Sequence, residues 1–168
     1  MLTEERKTSD LQEKEDIKLM NLDEFCDWYP DGFYGRFELH NGVIVKMQPT
    51  GTHEQVAGFL ASKLSVNIER LNLPFFIPRQ GLIKAIDTDK SAYIPDVMVL
   101  DSNAMENEPM WKKRSTIVRG QSVKLIIEVV STNWQDDYLK KLGEYERLGI
   151  NEYWIVDRKS TRLNSSHT

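Results

Sequence analysis

The stretch Lys124–Trp134, "KLIIEVVSTNW", decides how this chain is read. Its Ile- and Val-rich run predicts a strand buried on both faces, because such strands are continuously apolar rather than alternating. Glu128 interrupts that run. A carboxylate buried among Ile and Val is unfavourable unless a proton, a basic side chain or a metal ion compensates it. The identity of that compensator decides the function.

Downstream, "TNWQDDYLKKLGEYERLG" predicts a helix capped by Thr132 or Asn133, with acids in its first turns and an end at Gly149. "NEYWIVD" predicts a last strand. Upstream, "AYIPDVMVL" reads as a strand, and "FFIPRQGLIKAI" as an interrupted strand bent near Pro78 and Gly81. "THEQVAGFLASKLSVNIERLNLP" is the clearest helix. Thr52 and Gln55 fit a capping box, Val56, Phe59, Leu60, Leu64, Ile68 and Leu71 share a face, and Pro74 closes it. "GRFELHNGVIVKMQ" predicts a hairpin turning at Asn41-Gly42, and "NLDEFCDWYP" a short helix capped by Asn21 or Asp23. Residues 101–122 have loop composition. The order helix, hairpin, helix, strands, helix, strand predicts a mixed α/β fold (α+β, mixed sheet), with helices packed on a central sheet.

The 168 residues suit one domain with a substantial core. It is expected to span 21–157, after a charged, aperiodic arm at 1–20. The polar tail 158–168 has the look of translated vector sequence or a disordered end, so no function is expected of it and His167 is set aside. A net charge of −4 means that any nucleic-acid partner requires a local basic patch. One cysteine, Cys26, excludes an internal disulfide and a Cys-rich zinc site. With no membrane-length apolar run and no signal-peptide pattern, no membrane association is expected and the cytoplasm is the default location.

Asp96 in "YIPDVMVL" shares a strand face with Ile94 and Met98, and Glu128 with Ile126 and Val130. On adjacent strands the two carboxylates can converge, and one then stays protonated unless a cation joins them. An oxygen-only pair suits Mg²⁺ or Mn²⁺. The alternatives are a turn acid after Pro95 and an ion pair between Glu128 and a basic residue. Asp137, Lys141 and Tyr145 recur at i, i+4 spacing, and the long Lys141 stem can reach back toward the strand. A surface Asp137–Lys141 pair is the other reading.

"IPDVMVLD" followed by "LIIEVVSTNWQDDYLKKLGEYERLGINEYWIVD" resembles the Uma-two family, described as restriction endonucleases, within the PD-(D/E)XK nuclease superfamily. "FELHNGVIVKM" and "THEQVAGFLASKL" resemble its N-terminal half, so the resemblance covers about Leu22 to Asp157. It implies a restriction-endonuclease-like core and metal-dependent hydrolysis of DNA phosphodiester bonds, with Mg²⁺ or Mn²⁺ as cofactor. Residue by residue, Asp96 matches the first acid and Glu128 the second. Val130 stands where the superfamily's lysine is expected, and the resemblance gives that role to Lys141. It also implies that Glu38 joins the metal shell and that His53 touches substrate.

Gln80 is a further substrate-side candidate. Lys112, Lys113 and Arg114 offer backbone contacts to DNA, with Trp111 available for stacking. Two competing readings are a non-catalytic DNA-binding or assembly module on the same fold, and a structural protein in which Glu128 pairs with Lys141. Homodimerisation is left open.

Overall fold

A computed structural model describes residues 18–29, 35–131, 135–159 and 163–167, with backbone alone at 135–137 and 163–167. Most of the N-terminal arm, the expected caps Thr132 and Asn133, and the Asp137 side chain lie outside the described residues.

Helix α1, Leu22–Trp28, starts at Asn21 in a capping box: the Asn21 side chain accepts from the Glu24 N–H, and the Glu24 carboxylate accepts from the Asn21 N–H. Strands β1, Arg36–His40, and β2, Val43–Met47, form the expected hairpin. Asn41 (φ 50°) and Gly42 (φ 84°) are both left-handed, as a tight primed turn requires. Helix α2 spans Gly51–Arg70. Its cap is Thr50 rather than the expected Thr52, because the chain is still extended at Thr50 and its hydroxyl accepts from the His53 N–H.

The segments around Pro78 and Pro95 each divide between two sheets. Strand β3, Phe75–Phe76, and β4, Leu82–Lys84, come from the first segment; β5, Ala92–Tyr93, and β6, Val97–Asp101, come from the second. Proline cannot donate to a ladder, and the chain changes sheets across Pro95. Asp96 sits at that corner, immediately before β6. Residues 101–122 hold more structure than their composition predicts: a 3₁₀ turn at Ser102–Asn107, helix α3 at Trp111–Arg114, strand β7 at Thr116–Ile117 and another 3₁₀ turn at Gly120–Ser122. The buried Glu108 organises them by accepting from the Val118 and Arg119 N–H groups and the Ser122 hydroxyl.

Strand β8, Val123–Val130, is followed by α4, Gln135–Arg147, then β9, Glu152–Asp157, and β10, Leu163–His167. Among the described residues the strands form two mixed five-stranded sheets rather than one central sheet, ordered β2-β1-β5-β4-β7 and β10-β9-β8-β6-β3. Strand β8 pairs antiparallel with β6 and parallel with β9, which explains its continuous apolar run. Val97, Val99, Leu125, Ile127 and Val129 pack on the apolar face of α2. On the alternate parity, Met98, Leu100 and Ile126 meet Ile83 and Ile117 of the first sheet and Tyr145, Leu148 and Ile150 from the α4 end. Glu128 shares parity with Ile126 and so meets α4.

Candidate active site

The β6–β8 register places Val97 opposite Ile127, so Asp96 and Glu128 follow at neighbouring positions on the two strands. Asp96 Oδ2 accepts from the Val129 N–H at 2.7 Å, which fixes it beside the Glu128 backbone. His53, near the start of α2, lies with Nε2 at 3.1 Å from the same oxygen, and Arg36 Nη2 lies 3.5 Å from Oδ1. Burial alone would raise the Asp96 pKa. The hydrogen bond and charge of His53, the Val129 N–H and Arg36 outweigh it and hold the carboxyl below its ordinary value. The Asp96 hydrogen bond in turn raises His53 against the opposing effect of burial.

Glu128 is in the opposite state. It is 1% exposed, and burial pushes its pKa up to about 8. Lys141 opposes that rise, the charge of Asp96 adds to it, the Tyr145 hydrogen bond opposes it, and Glu38 adds to it. Tyr145 donates to Glu128 Oε1 at 2.7 Å, and Lys141 Nζ is 3.8 Å from that atom. Among the described residues Glu128 Oε2 is buried without a hydrogen-bond partner. A buried acceptor without a partner is costly and points to a missing proton or cation partner.

Lys141 reaches the pair from α4, its ammonium 2.6 Å from Glu38 Oε1 and over the rings of Tyr138 and Tyr93 at 5.4 and 5.9 Å. Burial would lower its pKa, but the charges of Glu128 and Glu38 outweigh burial, so Lys141 stays an ammonium. Glu38, fully buried, also accepts from the Ile94 N–H at 2.9 Å, and its Oε2 lies 2.7 Å from His40 Nε2. These partners outweigh burial and hold Glu38 below its ordinary pKa. Both of its oxygens are engaged.

A cleft of about 220 Å³ opens over Asp96, lined also by Arg36, Thr50, His53, Tyr138 and Arg158. Among the described residues no three His, Cys, Asp or Glu side chains converge as a cluster able to hold a metal. The donor chemistry nevertheless fits a hard cation of the Mg²⁺ type, which is often held by one or two carboxylates with water and phosphate completing its shell. Asp96 is ionised, and Glu128 carries an unpartnered buried oxygen and a proton that a cation can replace.

The family profile Uma2, described as "Putative restriction endonuclease", matches residues 22–166. The chain belongs to the Uma2 family. A similar solved structure is "a putative nuclease belonging to DUF820 from Anabaena variabilis". It is 16% identical at a TM-score of 0.68, over 88% of this chain and 79% of that one. At that identity the likeness shows the fold, a mixed α/β architecture. No curated protein matches.

The structure of this Uma2 chain gathers Asp96, Glu128, Lys141, Glu38 and His53, and it separates the other candidates from them. Gln80, Lys113 and Arg114 line a second cleft of about 500 Å³ that shares no lining residue with the first. There Gln80 donates to the Tyr29 hydroxyl, and Arg114 pairs with Asp27 at 3.1 Å and lies 3.8 Å from Asp23. Lys112 lines neither cleft, so the basic run lies outside the cleft over Asp96. The second cleft is larger, but its carboxylate, Asp27, is exposed and already paired. Of the gathered candidates, Asp96 and His53 line the smaller one. Sequence reading missed Arg36, which carried no motif.

Among the described residues no helix is long and apolar enough to cross a membrane.

Proposed function

We propose that this chain is a metal-dependent endodeoxyribonuclease that hydrolyses DNA phosphodiester bonds. The observation that carries this reading is the unpartnered, buried Glu128 Oε2, with Asp96 beside it and the Lys141 ammonium 3.8 Å from its sister oxygen. Asp96 and Glu128 would hold Mg²⁺ or Mn²⁺, which when bound polarises the scissile phosphate and acidifies water.

The chain's own residues have separable tasks. Because Lys141 is held as an ammonium, it does not serve as a general base; it stabilises charge developing on the phosphate. Glu38, saturated by Lys141, His40 and the Ile94 N–H, anchors Lys141 and stands outside the metal shell. Tyr145 fixes the Glu128 rotamer, leaving Oε2 for the cation. His53 keeps Asp96 ionised and lines the cleft, where it can meet substrate phosphate.

The test is Mg²⁺-dependent nicking of plasmid DNA, which Asp96→Ala and Glu128→Gln should each abolish. Cleavage that survives both substitutions, or that persists in EDTA, overturns the reading. A non-catalytic DNA-binding module has one specific observation in its favour: without any ion, a proton on Glu128 and the Glu38–Lys141 pair already neutralise much of the buried charge. DNA binding with no cleavage under any divalent metal would select it.

A further inference from the structure

We infer that Tyr138 touches the substrate in the cleft over Asp96, its hydroxyl donating to a non-bridging oxygen of the bound phosphodiester, and that Lys141 acts on the substrate through it. The identity of the substrate rests on the nuclease reading. The two halves of the site are separated: Asp96 and His53 line the cleft, whereas Glu38, Glu128 and Lys141 are buried and do not. An ammonium only 4% exposed does not meet a phosphate in the cleft without an intermediary. Tyr138 joins the halves. It lines the cleft, and the Lys141 ammonium lies 5.4 Å from the centroid of its ring. Among the described residues the other partners of Lys141 are Glu38, Glu128 and Tyr93, and none of these lines the cleft.

Helix α4 supplies this arrangement. Tyr138, Lys141 and Tyr145 follow at i, i+3 and i+7, which sets them in one row along the helix. Tyr145 ends the row in the core, fully buried and bonded to Glu128. Tyr138, at the other end, is half-buried, and its hydroxyl has no hydrogen-bond partner among the described residues. The unpartnered side-chain oxygens sealed from solvent there belong to Glu128 and Glu144, so the Tyr138 hydroxyl is open to solvent. Arg36 and His53 are committed, each lying against Asp96 and Glu54. Tyr138 is free to donate. Burial, followed by the charges of Glu128 and Asp96, holds its phenol pKa well above the ordinary value against the opposing charge of Lys141, so the hydroxyl keeps its proton. The cation against its ring polarises the phenol toward donation. Being neutral, it can meet an anionic oxygen without adding a negative charge beside the ionised Asp96.

The experiment uses the full chain with its tyrosines labelled at the ring Cζ. Dimethyl phosphate is titrated in EDTA, and the Tyr138 resonance is identified by its absence from Tyr138→Phe. Wild type should show saturable shifts at Tyr138 and at the His53 amide, which NaCl of matched ionic strength does not reproduce. Tyr138→Phe keeps the ring against Lys141 and removes the hydroxyl alone. It should weaken the dimethyl phosphate response at His53 about tenfold, in the range expected for loss of a charge-assisted hydrogen bond. It should melt at the wild-type temperature, because that hydroxyl has no partner inside the protein. Tyr138→Leu removes the ring as well and should move the Lys141 Nζ resonance, which Tyr138→Phe leaves in place. A Tyr138 resonance that dimethyl phosphate does not move, or a His53 response unchanged in Tyr138→Phe, overturns the inference. A lowered melting temperature in Tyr138→Phe overturns it too, by placing the hydroxyl in a bond within the fold. An Nζ resonance unmoved in Tyr138→Leu overturns the link to Lys141. Mg²⁺-dependent plasmid nicking is scored separately, and Tyr138→Phe should lower its kcat about tenfold. Nicking at the wild-type rate in Tyr138→Phe retains the nuclease and rejects the contact. Tyr138-dependent phosphate binding with no nicking under any divalent metal retains the contact and rejects the nuclease.

Discussion

Tyr145 donates its hydroxyl to one oxygen of Glu128 at 2.7 Å and leaves the other oxygen buried and unpartnered. Tyr145 is itself fully buried, and burial together with the neighbouring acids drives its phenol pKa well above the ordinary value, so it remains a donor across the accessible pH range. Tyr145→Phe removes that donor with little change of shape. The variant should lose about 1–3 kcal/mol in chemical denaturation, the cost of stranding a buried acceptor. Because the Tyr145 bond lowers the Glu128 pKa, carboxyl-labelled NMR should show Glu128 titrating higher in the variant than in wild type. A Glu128 titration that does not move would mean that the bond is absent in solution.

Stability should depend on pH in a direction that Glu128 sets. Its folded pKa of about 8 lies above the ordinary 4.5, so the folded chain binds more protons than the unfolded chain between those values. The stabilisation is complete below about 4.5 and is lost as pH rises through about 8. His53, also raised, adds a loss as pH climbs above its ordinary 6.5. Asp96 and Glu38 act oppositely: their pKa values are lowered, so their contribution is present above the ordinary carboxylate range and disappears as pH falls through the folded values. Glu128→Gln should remove the Glu128 component alone. Urea denaturation across pH 5–9, without metal, should therefore show a shallower alkaline decline in the variant. Adding Mg²⁺ should flatten the wild-type curve toward it.

The Lys141–Glu38 pair is buried on both sides, with side chains 4% and 0% exposed. Lys141→Met leaves Glu38 and Glu128 sharing one interior without their cation. Loss of one partner of such a pair costs about 3–5 kcal/mol. Adding Glu38→Gln to Lys141→Met should recover part of that loss, because the stranded charge is removed as well. A double-mutant cycle from denaturation midpoints would show the coupling. Strictly additive effects would mean that the 2.6 Å contact does not persist in solution.

Part of this site was legible because local spacing carries it. Asn41-Gly42 specifies its turn through backbone conformation, and the four-residue interval from Lys141 to Tyr145 puts ammonium and phenol on the α4 face that meets Glu128. Other parts depend on distant contacts. "AYIPDVMVL" contains a strand-like run, but only the partners of β5 and β6 reveal that Pro95 marks a change of sheet and that Asp96 is a corner residue. The saturation of Glu38 needs Lys141, more than a hundred residues away along the chain. Nothing near Arg114 in sequence announces Asp23 or Asp27 as its partners, and nothing near Arg158 announces Thr50.

The outer edge of β9 supplies the last prediction. Residues 163–167, read from composition as part of a patternless tail, form β10 and pair antiparallel with β9 from Leu163–Val156 to His167–Glu152. The backbone of β10 pairs with β9 along this whole stretch. Val156, at 8% exposed, belongs to the cluster under α2. Ending the chain after Lys159 should therefore leave the fold and the Glu128 titration intact while exposing the N–H and C=O groups along β9. An uncovered edge carrying Tyr153, Trp154 and Ile155 recruits other chains. Sedimentation velocity should show the truncated protein associating with rising concentration more strongly than the full chain, and charged substitutions on β9, such as Tyr153→Lys, should reverse it. Identical sedimentation of the two chains with an unchanged melting temperature would mean that β10 contributes no protection to that edge.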